Sequence, residues 1–315
     1  MILLHHIVQF CPHRINVPSF GHLAVALFFL LSGYGLEEQV KNDEAYLRGF
    51  LSKHIIKIYV PYLIATIIYI IARAFLGLRY TVANILLSLV GYMTIVNFSW
   101  YIFALLILYF IFEIVYMHFS DINKRLAYLS FAVVMLILFS VVVRLPSYWY
   151  VSLLAFPFGV FVSAWQGSIL HMTKNNRLYF LVLVVLSSVC MLCWFGCFSK
   201  WCTAGFEAHI IVSMVERAEI VLCDMSFIGA CVLICCKCHP RVVLLSKMGD
   251  ISYEVYLFQG LFVKLFAETL MLNSNISYIV AVTVCTLLFS IVIHKPIKIM
   301  LKFCEQIRRK TLKVS

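Results

Sequence analysis

Long apolar runs recur along the chain, and they constrain its fold more than any other feature. Nine of them approach the roughly 20 residues that a helix needs to cross a bilayer, and a tenth, at the N-terminus, is cut short. With 63% hydrophobic and 12% charged residues, a single soluble core could not hide this much apolar surface from water. The sequence therefore predicts an all-α integral membrane protein with about ten transmembrane helices, the first truncated at its N-terminus. In order, the runs are Met1–Cys11, Ser19–Leu36, Ile55–Leu76, Ser99–His118, Leu126–Val143, Tyr148–Trp165, Leu178–Phe198, His209–Cys236, Ile251–Leu272 and Ile276–His294.

The stretch Arg79–Phe98 is also apolar, but it contains Asn84, Gly91 and Asn97. We interpret it as an interfacial or re-entrant segment, because an eleventh crossing would invert the topology of everything after it. With ten crossings and entry from the cytoplasm, the cytoplasmic segments carry 18 Lys and Arg residues, against six on the opposite side. This positive-inside bias predicts that both termini lie in the cytoplasm. The net charge of +11 is then a topology signal, which argues against a nucleic-acid partner.

The chain ends in a basic segment, HKPIKIMLKFCEQIRRKTLKVS, whose apolar residues fall near helical spacing. A helix of this kind lies on anionic lipid headgroups with its basic face towards them. We therefore divide the chain into a transmembrane domain, residues 1–295, and a basic amphipathic cytoplasmic tail, residues 296–315.

The 12 cysteines do not predict a metal site. Most lie inside apolar runs, where a thiol behaves as a small hydrophobic side chain. The CCKCH segment offers neighbouring ligands that mostly point apart on a helix, whereas a zinc site needs two separated pairs. Cys193, Cys197 and Cys202 lie near one helix end, where the spacing allows one disulfide without determining it.

Polar side chains inside the apolar runs are the candidates for chemistry, because a bilayer makes them costly and they are usually functional. His5 and His6 lie in the first run, and their directions differ by about 100°, so one of them faces the bundle interior. Glu113 and Glu254 lie inside later runs. A buried histidine can also be a hydrogen-bonded packing residue, and the residues alone leave that alternative open.

A second feature combines small and basic residues. Ser32 and Gly33 lie near the cytoplasmic end of the second run, where small residues let helix backbones approach closely. Lys53, His54 and Lys57 follow, and clustered cations of this kind hold phosphates. The pattern indicates an anionic cofactor that docks from the cytoplasm, with a positive-inside loop beside a kinked span as the alternative.

Five segments resemble, in order and spacing, the motifs of the integral-membrane acyltransferase family 3. HLAVALFFLLSGYGL is similar to the family's FFxxSG segment, FLSKHIIKIYVPY to its basic stretch before Pro-Tyr, and SWYIFALLILYFIFEIVY to its Trp-led span. FPFGVFV is similar to its Phe/Gly turn, and KMGDISYEVYLFQG to its late GxxSYxxYL motif. Bacterial members of this family O-acetylate polysaccharides, lipopolysaccharide and other envelope glycans.

The resemblance implies a membrane O-acyltransferase that moves an acetyl group from cytoplasmic acetyl-CoA to a hydroxyl of an envelope or exported polysaccharide. The implied partners are acetyl-CoA, a glycan or lipid-linked saccharide acceptor, and membrane lipids, with no metal cofactor. The implied location is the bacterial plasma membrane.

The resemblance also implies roles for single residues. His6 stands where the family has an essential histidine, and it would remove the acceptor's hydroxyl proton or carry the acyl group. Glu254 would steady His6 or the acceptor hydroxyl. The other implied roles are phosphate binding by Lys53, His54 and Lys57, passage of the thioester at Ser32 and Gly33, and acceptor binding by Glu113, Tyr253, Tyr256 and Gln259.

Three departures from the family pattern leave alternatives open. The basic residue that precedes the family's histidine would fall before Met1. Arg is common in the family where this chain has His54 and Lys57, and neither replaces a bidentate guanidinium. His is common where this chain has Gln259, which can orient a hydroxyl but cannot take its proton. A transporter or flippase of a lipid-linked glycan and a truncated, inactive acyltransferase copy are the alternatives.

Overall fold

The computed structural model describes residues 1–17, 19–90, 95–202, 209–239, 243–269 and 274–314. Every regular element in this part of the chain is helical, which confirms the all-α prediction. In chain order the helices are α1 (Ile2–Gln9), α2 (Gly21–Asn42), α3 (Phe50–Phe75), α4 (Val82–Leu89), α5 (Trp100–His118), α6 (Ile122–Val142), α7 (Ala155–Ala164), α8 (Gln166–Lys174), α9 (Asn176–Trp194), α10 (Cys197–Cys202), α11 (His209–Cys238), α12 (Val243–Asp250), α13 (Ser252–Thr269) and α14 (Asn275–Val314), with 3₁₀ turns at Glu44–Leu47 and Ser147–Trp149.

Seven helices in the described residues are long and apolar enough to cross a membrane: α2, α3, α5, α6, α9, α11 and α14. They account for seven of the ten predicted crossings, so the count of about ten is not confirmed. The first run forms only the eight residues of α1, and the sixth forms the ten residues of α7. The ninth run forms α13, which has 18 residues and includes Glu254, Lys264 and Glu268.

The segment between the third and fourth runs contains one short helix. Its eight residues, α4, rise about 12 Å, which is less than half the thickness of the hydrocarbon core. Thr81 caps α4 by accepting a hydrogen bond from the backbone N–H of Asn84 at 3.2 Å. Asn84 therefore lies in the first turn of a capped helix, and Gly91 falls outside the described residues.

The chain divides into two compact units, and the first comprises residues 1–17, 49–109 and 242–315. Its core contains Ile7, Val263, Tyr278 and Val282 from α1, α13 and α14. The Tyr278 hydroxyl donates to the Val263 carbonyl at 2.8 Å, while near the other end of these helices the His294 ring contacts Glu254. Residue numbers thus rise along α14 as they fall along α13, so the two helices are antiparallel.

The second unit comprises residues 18–48 and 110–241. In it α2 packs closely on α7, since a Cβ atom added at Gly33 would overlap the Phe156 carbonyl oxygen. A Cβ atom at Gly159 would likewise overlap the Leu30 carbonyl oxygen. The glycines of the FFxxSG segment and of the FPFG turn therefore serve one helix contact, as expected of small residues between membrane helices.

The predicted tail continues the last predicted span without a break. Helix α14 runs for 40 residues, about 60 Å, with Pro296 inside it. Near its end Arg308 Nη1 donates to the Gly49 carbonyl at 3.4 Å, beside the start of α3. That the tail lies on lipid headgroups stays a prediction.

All 12 cysteines are free thiols, so the disulfide allowed among Cys193, Cys197 and Cys202 is not formed. Cys193 instead packs in an apolar cluster of the second unit with Leu23 and Cys223. In this environment the thiol behaves as a hydrophobic side chain.

Candidate functional site

The His6 ring in α1 is held on two sides. It stacks on the Phe98 ring, with centroids 3.6 Å apart and planes tilted by 8°. Its Nδ1 lies 3.4 Å from Gln9 Oε1, and Gln9 Nε2 lies 3.0 Å from His5 Nε2. Because an amide oxygen only accepts, the His6 Nδ1–H donates there and Nε2 keeps the lone pair. In this tautomer Nε2 is the nitrogen of His6 that can accept a proton, and Gln9 is a hydrogen-bond partner of the ring that the sequence reasoning did not find.

The turn that carries Phe98 is strained. Phe98 has φ of 67°, in the left-handed region that a bulky side chain rarely adopts. Its carbonyl oxygen accepts a hydrogen bond from the Tyr256 hydroxyl at 2.5 Å. Ser99 closes the turn, with its hydroxyl donating to the Val96 carbonyl at 2.7 Å. Strain of this kind persists where the surroundings hold it, and it concentrates at functional sites.

Gly260, in the late motif, lets this turn approach α13. A Cβ atom there would lie 2.6 Å from the Asn97 Cβ and 3.0 Å from the Tyr69 hydroxyl oxygen. No real Cβ atom has room at those distances. Gly260, which follows the GxxSYxxYL residues of the late motif, is therefore required for the close packing that places Phe98, and with it His6.

Gln259 lies on the side of α13 that faces this turn. Successive residues of a helix point about 100° apart, so the Gln259 side chain points within about 60° of both Tyr256 and Val263. Tyr256 bonds Phe98, and Val263 packs on Ile7. Gln259 is fully buried, and neither of its amide atoms finds a hydrogen-bond partner among the described residues. A buried unpaired amide is costly, so this side chain is a candidate for binding a polar ligand.

Glu254 pairs with a residue that the sequence reasoning did not single out. His294 Nδ1 donates to Glu254 Oε1 at 2.8 Å, and the Glu254 side chain is 6% exposed. Nine residues separate Glu254 from Val263, so the two point to opposite sides of α13. The carboxylate thus steadies the His294 ring and lies on the side of α13 away from Val263 and Ile7. His294 escaped notice because it ends the last apolar run, where a histidine looks like a boundary residue.

The two predicted tyrosines use their hydroxyls to hold the backbone. Tyr253 donates to the Ile58 carbonyl at 2.7 Å, and Tyr256 donates to the Phe98 carbonyl. Tyr69 of α3 donates in turn to the Leu257 carbonyl at 3.0 Å. These bonds tie α13 to α3 and to the strained turn, and each phenolic oxygen can still accept one hydrogen bond.

The basic residues at the start of α3 divide into two groups. His54 is buried, with its ring 4.4 Å from that of Phe50 and 5.0 Å from that of Tyr109, so it faces inward. Lys53 is half-buried and Lys57 exposed. We name Lys53, Lys57 and Arg308 the cationic rim, since Arg308 Nη1 also lies 3.5 Å from Ser52 Oγ in the first turn of α3.

Three of the predicted site residues lie in the second unit. Gly33 is a packing residue of the α2–α7 contact, and Ser32 is half-buried beside it. Glu113 is half-buried in the later half of α5.

This unit also holds a buried polar cluster that the sequence reasoning missed. Asp224 Oδ1 accepts from His22 Nδ1 at 2.6 Å, and Asp224 Oδ2 accepts from the Ser152 hydroxyl at 2.6 Å. The signal was available, because Asp224 is a carboxylate inside an apolar run like Glu113 and Glu254.

Comparison with known proteins identifies the family of the chain. The acyltransferase family 3 model, an acyltransferase domain, matches residues 1–295. No curated protein and no solved structure matches the chain. The matched range contains the His6 site, the glycine contact of α2 with α7 and the late motif that holds Phe98 in place. The chain therefore belongs to acyltransferase family 3 and is a multi-span membrane acyltransferase.

Proposed function

We propose that this acyltransferase moves an acetyl group from cytoplasmic acetyl-CoA to a hydroxyl of an envelope or exported polysaccharide. The observation that carries the proposal is the His6 ring, stacked on Phe98 and oriented by Gln9 so that Nε2 is free to accept a proton. A base held by a third group is what hydroxyl activation requires. The family supports acyl transfer as the reaction.

In the proposed reaction His6 Nε2 takes the proton of the acceptor hydroxyl as its oxygen attacks the thioester carbonyl. The carbon–oxygen bond forms, the carbon–sulfur bond breaks, and the leaving thiolate takes up a proton to become the CoA thiol. Gln259, buried on the His6 side of α13, would donate from its amide to the acceptor or to the developing oxyanion. Acceptor contacts by Tyr253, Tyr256 and Glu113 belong to the same proposal.

The acyl donor would bind through its phosphates at the cationic rim. Lys53 and Lys57 supply point charges, and Arg308 supplies the planar guanidinium that the basic stretch of α3 lacks. His54 would act indirectly, by packing the start of α3 against Phe50 and Tyr109. Passage of the thioester beside Ser32 and Gly33 is part of the proposal as well.

The proposed location is the bacterial plasma membrane, with ten crossings and both termini in the cytoplasm. The positive-inside bias supports this topology, because it places the cationic rim on the side where acetyl-CoA is made. The tail would then lie along anionic lipid headgroups.

The test compares the O-acetyl signal in the NMR spectrum of envelope polysaccharide from four strains: the wild type, the gene deletion, and the deletion carrying His6→Ala or His13→Ala. His13 is the matched control, since it is exposed and contacts Asn275 through its backbone. We expect the signal to vanish in the deletion and in His6→Ala, and to return with His13→Ala.

An unchanged signal in the deletion would remove the polysaccharide acetylation proposal and favour glycan transport. A retained signal in His6→Ala would remove the assignment of the base.

A further inference from the structure

One buried stripe of α14 changes from apolar to polar along its length. Tyr278, Val282, Thr286, Ser290 and His294 follow each other at intervals of four residues, so each points about 40° from the one before and the stripe winds gradually around the helix. Both ends of the stripe reach α13, because Tyr278 bonds the Val263 carbonyl and His294 bonds Glu254. The middle of the stripe therefore lies inside the first unit.

Thr286 and Ser290, in the middle of the stripe, are fully buried. Neither hydroxyl oxygen has a hydrogen-bond partner within the described part of the chain. A buried hydroxyl in a helix usually donates to the carbonyl four residues earlier, as Thr66 does to Tyr62 at 2.9 Å. Two adjacent hydroxyls that forgo this bond each cost free energy, so they indicate a ligand that bonds them.

The surroundings restrict the chemistry of that ligand. The Phe289 ring of α14 lies 5.0 Å from the Phe258 ring and 5.6 Å from the Phe262 ring. Hydroxyls beside an aromatic cluster suit a neutral group that has both hydrogen-bonding atoms and methylene carbons. At the end of the stripe His294 keeps Nε2 for the ligand, because its Nδ1 is occupied by Glu254.

The stripe ends near the part of α3 that carries Lys57, a residue of the cationic rim. Tyr253, the neighbour of Glu254, donates to the carbonyl of Ile58, the neighbour of Lys57. An acyl-CoA has two chemical halves, a phosphorylated nucleotide and a neutral, hydrogen-bonding chain. The rim suits the first half and the stripe suits the second.

We infer that Thr286, Ser290 and the Glu254–His294 pair form the binding slot for the neutral pantetheine and thioester part of the acyl donor. The inference rests on the proposed function, since it concerns the same donor. The Thr286 and Ser290 hydroxyls bond the amide or thioester oxygens, and His294 Nε2 bonds the chain near the rim. From Thr286 to His294 the slot extends about 12 Å along α14.

The experiment measures binding of two probes to the purified full-length protein in lipid nanodiscs by calorimetry. Acetyl-CoA carries both halves of the donor, and 3′-phosphoadenosine 5′-diphosphate carries the phosphates without the pantetheine chain. The variants are Thr286→Val and Ser290→Ala, with Thr66→Val as the matched control because the Thr66 hydroxyl is already bonded to its own helix.

For Thr286→Val and Ser290→Ala we expect a Kd for acetyl-CoA raised about tenfold, the effect of one lost hydrogen bond to a buried group. Their Kd for the nucleotide probe should not change. Their melting temperature should stay the same or rise, because an unpaired buried hydroxyl has been removed. Thr66→Val should bind acetyl-CoA normally and melt at a lower temperature.

Normal acetyl-CoA binding in both slot variants would overturn the inference while leaving the proposed donor intact. Equal wild-type affinity for the two probes would also overturn it, since the pantetheine chain would then make no contact. Failure of the wild-type protein to bind either probe would overturn the proposed use of acetyl-CoA, and the slot with it.

Discussion

The imidazole of His6 differs in its surroundings from those of His54 and His294. His6 stacks on a ring and is oriented by Gln9, while His54 lies between the rings of Phe50 and Tyr109. His294 is held by the Glu254 carboxylate. Stacking fixes the plane of the His6 ring without occupying Nε2, which is the arrangement a proton acceptor needs. At this scale the proposed role of His6 depends on the strained turn that presents Phe98.

A test of that dependence is Tyr256→Phe, which removes the hydroxyl that holds the Phe98 carbonyl. The matched control is Tyr59→Phe, since Tyr59 donates in the same way to the Leu89 carbonyl at 2.5 Å. Each variant should lose about 1 kcal/mol of stability, the usual contribution of one hydrogen bond. Only Tyr256→Phe should also lower kcat for acetyl transfer, by about tenfold, because the Phe98 ring on which His6 stacks is then held less firmly. Equal kcat values in the two variants would contradict the positioning role.

At the scale of elements, glycines set how closely the helices pack. Gly33 and Gly159 allow α2 and α7 to approach backbone to backbone, and Gly260 allows the Phe98 turn to approach α13. Without a hydrophobic driving force between helices in lipid, close packing of this kind stabilises the assembly. Two of the family motifs therefore describe one helix contact, which explains why their glycines occur together.

The variant Gly33→Ala should destabilise the protein by about 2–3 kcal/mol, because its methyl group would overlap the Phe156 carbonyl. The control Gly35→Ala lies two residues further along α2, on the opposite side of the helix. Its methyl group meets open space and should change stability by less than about 0.5 kcal/mol. Thermal melting of the detergent-solubilised proteins provides the measurement. If Gly33→Ala melts with the wild type, the close contact of α2 with α7 is wrong.

At the scale of the whole molecule, the distribution of charge determines orientation in the bilayer. Seven helices in the part of the chain that the structure describes satisfy the length and composition of a span, and α1, α4, α7 and α13 are short or charged. Short apolar helices can be buried among longer ones without crossing the bilayer themselves, so hydropathy alone does not determine the number of crossings. Counted for the ten predicted crossings, the positive-inside bias of 18 against six basic residues is a second guide to topology.

Reporter fusions test the topology directly. A fluorescent protein joined after Ser120 should be bright and an alkaline phosphatase there inactive, because the loop before α6 is predicted to be cytoplasmic. Fusions after Leu145 should give the opposite pair of results. Active phosphatase after Ser120 would mean that the segment Arg79–Phe98 adds a crossing, and the order of sides after it would be reversed.

Much of the site could be predicted because its residue types are costly in a bilayer. His6 and Glu254 stood out as polar groups in apolar runs, and Lys53 and Lys57 as clustered cations. Arg308 did not stand out, since it lies in a generally basic tail more than 250 residues from Gly49. Its proximity to Gly49 depends on the length and direction of α14, and no local sequence pattern predicts that length and direction.

Hydropathy, charge and motif order by themselves determined that this chain is an all-helical membrane protein of the acyltransferase 3 type. Those properties are local sums along the chain, so they can be read without knowing which helices touch. Only the tertiary structure decided that Glu254 pairs with His294, that Gln259 lies on the His6 side of α13, and that the glycines of two motifs meet. The reason is physical. The partner of a side chain depends on how its helix is rotated and how it crosses its neighbours, and successive residues point about 100° apart around a helix.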